Sequence, residues 1–295
     1  MSNYNLSEYL SIKEIHYSKR LTYLRSLLEP LDLGAEIGPS HSPIAPRKLG
    51  YNTKIVDVID TESLKRKYEQ LSVDTSLIES VDYVWKGEPL NELIDNSLKF
   101  EYIVASHVIE HIPNPIAFFR QCEKILSDNG ILILVIPDKR RCFDFLRPLS
   151  TTGQFVQAYL ENATTHSIQA IYDFHAGYVT SSDLHSWSSD EQKHDDLRLL
   201  NNELAAYQAC KESIKKKQYV DVHGWVFSPS SFLLIYRELR SLCLINIQLQ
   251  TFSVSSGHEF YAVLKKTNEN IDILANIDRL TLHQCILSEL SETKT

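Results

Sequence analysis

Apolar residues recur along this chain in two rhythms. In short stretches they cluster, as in Leu31–Ile37, Thr53–Val58, Val81–Trp85 and Glu101–Ala105, and over Ile131–Ile136 they run unbroken. Elsewhere they fall on one face of a helix, as with the apolar set Ile116, Phe119, Ile125 and Leu126 in the amphipathic segment Pro115–Leu126. The first rhythm predicts strands and the second predicts amphipathic helices. Ile131–Ile136 has no polar position, so its strand is expected to be buried on both faces, as in a parallel sheet. Alternating strands and helices predict an α/β class.

Three segments break the alternation. Leu6–Leu28 has mostly helical spacing and stops at Pro30, which predicts an N-terminal helical segment over 1–29. Residues 30–140 form the first part of the core. Residues 141–222 are polar, rich in His, Ser and Asp, and too long for a βα loop. They predict an inserted helical cap, with helices over Gln154–Leu160 and Asp196–Lys216. The alternation resumes over 223–267 with a helix at Ser230–Leu239. A hairpin follows, built from Cys243–Phe252 and Glu259–Lys265 around the turn Ser255-Ser-Gly257. Residues 268–295 contain a last amphipathic helix, Ile271–Leu290, outside the core.

Composition narrows the chemistry. Only 9 of 295 residues are glycine, about half the usual share, which disfavours a multi-glycine phosphate cradle. The formal charge is −8, so no broad electrostatic attraction to nucleic acid is expected. The five cysteines are scattered, with no CxxC pair. They read as thiols in a reducing compartment rather than a disulfide framework or a zinc knuckle. No run of apolar residues is long enough for a membrane span, and a cytoplasmic protein is expected.

Candidate chemistry sits at the predicted strand ends. Glu36-Ile-Gly38-Pro-Ser40 follows the first core strand, where an open α/β sheet binds ligands. A dinucleotide loop needs more glycines there. Glu36 would repel a pyrophosphate and attract a cation. Asp57 ends the next strand, placed to accept hydrogen bonds from ribose hydroxyls. Ala105-Ser106-His107-Val-Ile-Glu110-His111-Ile-Pro113-Asn-Pro115 leads from the fourth strand into a helix.

That last segment resembles the one after strand four in class I S-adenosylmethionine-dependent methyltransferases, type 11-like. Asn129–Asp138 is similar to that family's next strand, and Glu36–Pro43 to its first motif. The resemblance implies a Rossmann-like, doubly wound, mostly parallel seven-stranded sheet with an antiparallel last strand and the helical cap inserted. It implies S-adenosyl-L-methionine as cofactor, held by Glu36, Gly38, Ser40, Asp57, Trp85, Ser106 and His107. Ser40 stands where the family's second glycine is usual. Trp85 or Glu88 replaces the acid that usually follows strand three, and Trp85 is expected near the adenine. The combination with Tyr83–Leu90 and Ile136-Pro-Asp138-Lys-Arg also resembles bacterial methyltransferase-like proteins linked to glycosyltransferases in surface-polysaccharide assembly. It implies a hydroxyl acceptor on a small molecule or glycan.

A hydroxyl acceptor needs a base, and histidine titrates in the right range. His223, where the chain returns from the cap, is the first candidate, followed by His107 and Asp138. His111 and His175 are expected to contact the acceptor. No metal site is read from the residue pattern. The C-terminal helix reads as a packed appendage, with docking to a second copy or a glycosyltransferase as the alternative. A scaffold of the same fold with weak catalysis is the alternative to the enzyme.

Overall fold

The apolar runs pair into one sheet. In the computed structural model, residues 12–95, 97–188, 196–267 and 274–292 are described. The strands are β1 (Lys13–Ile15), β2 (Gly34–Ile37), β3 (Thr53–Asp57), β4 (Tyr83–Val84), β5 (Phe100–Ser106), β6 (Leu126–Pro137), β7 (Val179–Ser181), β8 (Leu197–Leu199), β9 (Ile247–Ser255) and β10 (Glu259–Lys266). The helices are α1 (Arg20–Arg25), α2 (Thr61–Gln70), α3 (Leu90–Leu93), α4 (Pro115–Ile125), α5 (Thr152–Leu160), α6 (Ile168–Gly177), α7 (Glu203–Lys216), α8 (Pro229–Ser241) and α9 (Asn276–Glu292).

Eight strands form the main sheet in the order β1-β9-β10-β6-β5-β2-β3-β4. β2 through β6 pair in parallel. β10 runs antiparallel to both β6 and β9. The fold is therefore the Rossmann-like α/β sheet with an antiparallel last strand. After β2 the chain builds outward through β3 and β4, then crosses to the other side of β2 to make β5. The order reverses between β2 and β5, and the crevice at their carboxyl ends is where such sheets bind ligands.

The core has two layers because strand side chains alternate. Ile103 and Ala105 face one side, with Leu132, Leu134, Phe118 and Phe119, and α8 contributes Phe232 and Leu233 there. Tyr102 and Val104 face the other, with Ile133, Val135, Tyr261 and Val263. Tyr23 and Leu24 of α1 cover that second face, together with Ile44 from the loop after β2. α4 starts sharply because the Asn114 side chain accepts from Ala117 N–H and Pro115 fills the first turn.

Three local expectations are corrected. Lys13–Ile15 lies in the stretch expected to be helical, yet it pairs in parallel with Ser253–Ser255. It adds an eighth, edge strand to the seven expected, and the helix shrinks to α1. Pairing with a ready edge outweighs local periodicity. Residues 1–11 of that predicted helix lie outside the described residues.

Asp128-Asn129-Gly130, a turn signal in the sequence, is absorbed into β6. Phe100 pairs with Leu126 and Tyr102 with Ile131, so three extra residues bulge out there. Gly130 permits this, since a Cβ would stand 2.7 Å from Phe100 O.

The helix expected from Asp196 begins at Glu203, because the Asn202 side chain caps it by accepting from Ala205 N–H. Leu197–Leu199 instead pairs antiparallel with Val179–Ser181. The predicted span Ile271–Leu290 becomes α9; residues 271–273 lie outside the described residues. α9 buries Leu282 and Cys285 and leaves Ile277, Leu280 and Leu287 exposed. Its Glu289 accepts from the Ser230 N–H and hydroxyl at the start of α8. Among the described residues, no helix is long and apolar enough to cross a membrane.

Candidate active site

The carboxyl ends of β3, β2 and β5 lie side by side and carry the first group of residues. Gly38 turns the chain out of β2 at φ +64°, where a Cβ would also press on Val108 at 3.0 Å. Ser40 adopts φ +53°, a conformation that favours glycine. It is held there because its N–H donates to Asp57 Oδ2 at 3.1 Å. So Ser40 holds a backbone shape that glycine adopts at no steric cost. Asp57 Oδ1 accepts from Val58 N–H at 2.7 Å. Burial raises the Asp57 carboxyl above its ordinary range, against those two donors. Each carboxylate oxygen keeps a lone pair for a further donor.

Glu36 does something the sequence did not suggest. It is buried in β2, and its two oxygens accept from Ile44 N–H at 2.6 Å and Ala45 N–H at 3.0 Å. It closes the far end of the loop that begins at Gly38. Burial pushes its carboxyl up to about 7, despite the amide donors and the nearby Arg20 and Arg25. Trp85 follows β4 and is half-buried. Its indole N–H donates to Glu88 O at 2.6 Å, and its ring stacks on Phe118.

At the end of β5, Ser106 Oγ accepts from Arg20 Nη2 at 3.0 Å. His107 has φ +53°, a strained backbone of the kind that gathers at functional sites. Its Nε2 lies 2.9 Å from Glu259 Oε2 and its Nδ1 3.5 Å from Glu110 Oε1. Burial opposes a charge on this ring, but the two carboxylates outweigh it and raise His107 to about 9. It is therefore a cation at neutral pH. Glu259 also takes Arg20 Nε at 2.5 Å, so the N-terminal segment is tied to both β5 and β10.

The second group surrounds Glu110, which is fully buried. Neither of its carboxylate oxygens has a hydrogen-bond partner. His223 Nε2 stands 3.8 Å from Glu110 Oε1, and His223 Nδ1 lies 2.5 Å from Asp144 Oδ2. Asp144 also pairs with Arg147 at 2.5 Å. Although burial opposes it, His223 and Arg147 draw the Asp144 carboxyl down to about 2. His111 packs edge-on against His223, with ring centroids 4.7 Å apart. Its Nδ1 lies 2.9 Å from Asp221 Oδ1. The cluster thus joins the end of β5, the start of the cap and the segment that returns from it.

Two other expected residues sit elsewhere. The Asp138 carboxylate is held from two sides by Arg140 Nε and Nη2. Burial opposes ionisation, yet the arginine keeps it below its usual range. A carboxylate so held is a poor proton acceptor at neutral pH. His175 lies on α6 and is separated from His223 by Phe174, whose ring touches both. Burial, then Arg147, lowers its ring below the ordinary histidine range. A cavity of about 1070 Å3 lies beside the cluster, between α5, α6, α7 and residues 224–226. Arg147, Thr151, Gln154, His166, Asp173 and Trp225 line it, whereas Glu36, Gly38, Asp57 and His107 do not.

Residues 12–193, more than half of the chain, match a family model described as a methyltransferase domain. The chain belongs to this family. It is an S-adenosylmethionine-dependent methyltransferase, and S-adenosylmethionine is its cofactor. The donor set at the strand ends suits that molecule: a carboxylate for hydroxyls, a buried acid beneath the loop and a loop shaped by Gly38 and Ser40. No curated protein matches the methyltransferase in sequence. Solved structures similar to it include a SAM-dependent methyltransferase from Aquifex aeolicus. That one is 10% identical over 85% of this chain and 90% of the other, with a TM-score of 0.40. Another, from Thermotoga maritima, is described as a SAM-dependent methyltransferase and possible histamine N-methyltransferase. It is 14% identical over 85% of this chain and 90% of the other, with a TM-score of 0.38.

Sequence reasoning did not single out Asp144, Asp221, Glu259 or Arg20. Glu110 was visible in the run Glu110-His111, where an acid before a histidine signals more than a helix start. Asp144 gave no such signal, because its partner is 79 residues away.

Proposed function

We propose that the methyltransferase acts on a hydroxyl of a polar small molecule or sugar, of the kind found in surface polysaccharides. The observation that carries this reading is the buried Asp144–His223 pair set against Glu110. An amine free base needs no group to remove a proton before attack, whereas an alcohol does. The cavity beside the cluster, rich in hydroxyl and amide side chains with Trp225 in its wall, suits a neutral polyhydroxylated acceptor.

In this reading Gly38 and Ser40 bring backbone close to the cofactor, Asp57 takes its ribose hydroxyls and Trp85 lies beside its adenine. Ser106 and His107 meet its methionine side. S-adenosylmethionine, when bound, supplies a methyl group already activated by its sulfonium. The chain's own residues align the acceptor and exclude water. The acceptor lies in the cavity beside the cluster, away from His175, and its proton leaves through the Glu110, His111 and His223 cluster.

The test is transfer of labelled methyl from S-adenosylmethionine to a panel of sugars and polyols, with matched amines alongside. Label on hydroxyl oxygens in the wild type, lost in His223→Gln, supports the reading. Label confined to amines overturns it.

A further inference from the structure

Glu110 is fully buried, and neither carboxylate oxygen has a hydrogen-bond partner. The His107 ring stands 3.5 Å from its Oε1, beyond a good hydrogen bond. A buried carboxylate is costly unless charge and donors are brought to it. Besides His107, two imidazoles stand around it, each with a carboxylate beside its Nδ1. His223 Nδ1 lies 2.5 Å from Asp144 Oδ2 and His111 Nδ1 2.9 Å from Asp221 Oδ1. His223 Nε2 faces Glu110 Oε1 at 3.8 Å. Histidines that bind metals are backed in this way, with a carboxylate on the far nitrogen fixing the tautomer and the ring.

We propose that Glu110, His111 and His223 bind one divalent transition-metal cation. Their ligand atoms lie within 4.8 Å of one another. In a tetrahedral site with bonds of about 2.1 Å, donors are roughly 3.4 Å apart, so small side-chain rotations close the cage. One carboxylate and two imidazoles suit Zn2+ or Fe2+, whereas Mg2+ and Ca2+ prefer oxygen ligands. His111 is half-buried while the other two are buried, so the cation enters on its side. Three protein ligands leave a coordination position free. Resting on the proposed function, that position takes the acceptor's oxygen and eases loss of its proton to water, and His223, held by Asp144, then serves as a ligand rather than as the group that takes the proton.

The experiment uses the full chain, stripped with a chelator and titrated with ZnCl2 in a calorimeter without cofactor or acceptor. One equivalent is expected to bind. Glu110→Gln and His111→Ala each weaken binding at least 100-fold. Asp221→Asn, which touches only the outer nitrogen, weakens it about 10- to 100-fold. His111→Ala alters a half-buried ring and keeps the test valid if Glu110→Gln fails to fold. His258→Ala, in the neighbouring group His107, His258 and Glu259, leaves the affinity unchanged.

No stoichiometric binding by the wild type overturns the proposal, as does equal binding by His111→Ala. Loss of binding in His258→Ala assigns the cation to the other group and overturns it too. The readout needs no methyl transfer. Failure here therefore leaves the hydroxyl-acceptor reading standing, and label on amines leaves the cation site standing.

Discussion

His223 Nδ1 and Asp144 Oδ2 lie 2.5 Å apart, although 79 residues separate them. One residue follows the cap and the other lies near its start. The contact closes the whole insertion onto the carboxyl ends of the sheet and turns the opposite ring nitrogen toward Glu110.

Asp144→Asn is expected to lower the methyl-transfer rate on the order of 10²- to 10⁴-fold, the range for groups that handle a reacting proton. Asparagine can present its amide N–H to Nδ1 and reverse the tautomer. The dissociation constant for S-adenosylmethionine, measured by calorimetry, stays within about twofold. An equal loss in cofactor affinity would place this pair at the wrong end of the site.

Asp57→Ala is expected to weaken the cofactor by roughly 10- to 100-fold, from loss of hydrogen bonds to a charged acceptor at about 1.5–3 kcal/mol. The substitution also releases Ser40 N–H. Unchanged binding of S-adenosylmethionine in this variant would remove Asp57 from the site.

Gly38→Ala places a side chain at φ +64° and 3.0 Å from Val108. The left-handed backbone alone costs about 1–2 kcal/mol. A fall in the urea midpoint with an unchanged slope is expected. An unchanged midpoint would mean that the loop relaxes freely.

Glu36 links stability to pH. Burial raises its carboxyl to about 7, above the ordinary 4.5, so the folded protein holds this proton more tightly than the unfolded chain. Its contribution is complete below about pH 4.5 and is lost as pH rises through about 7, an effect on the order of 1–3 kcal/mol. Glu36→Gln is expected to be less stable at low pH but to lack that slope. Denaturant melts at several pH values, wild type beside variant, measure it. A slope that survives in the variant belongs to another group.

Much of the fold was legible because strand and helix periods are local properties of the chain. Ile131–Ile136 had to be a strand buried on both faces, and Pro115 with Asn114 had to start a helix. Glu36, Gly38, Asp57 and Ser106-His107 fell on the ends of three predicted strands by counting alone, which was enough to point to the family. Other features needed distant partners. Lys13–Ile15 became a strand only because β9 offers an unpaired edge. Glu36 closes the loop because burial leaves its oxygens no other donors than Ile44 and Ala45. His107 becomes a cation because Glu259, 152 residues away, is folded against it. Local sequence sets which segments form and which side chains they carry. Which of those side chains share one desolvated space, and so which charges and protons they hold, is decided only when the chain closes on itself.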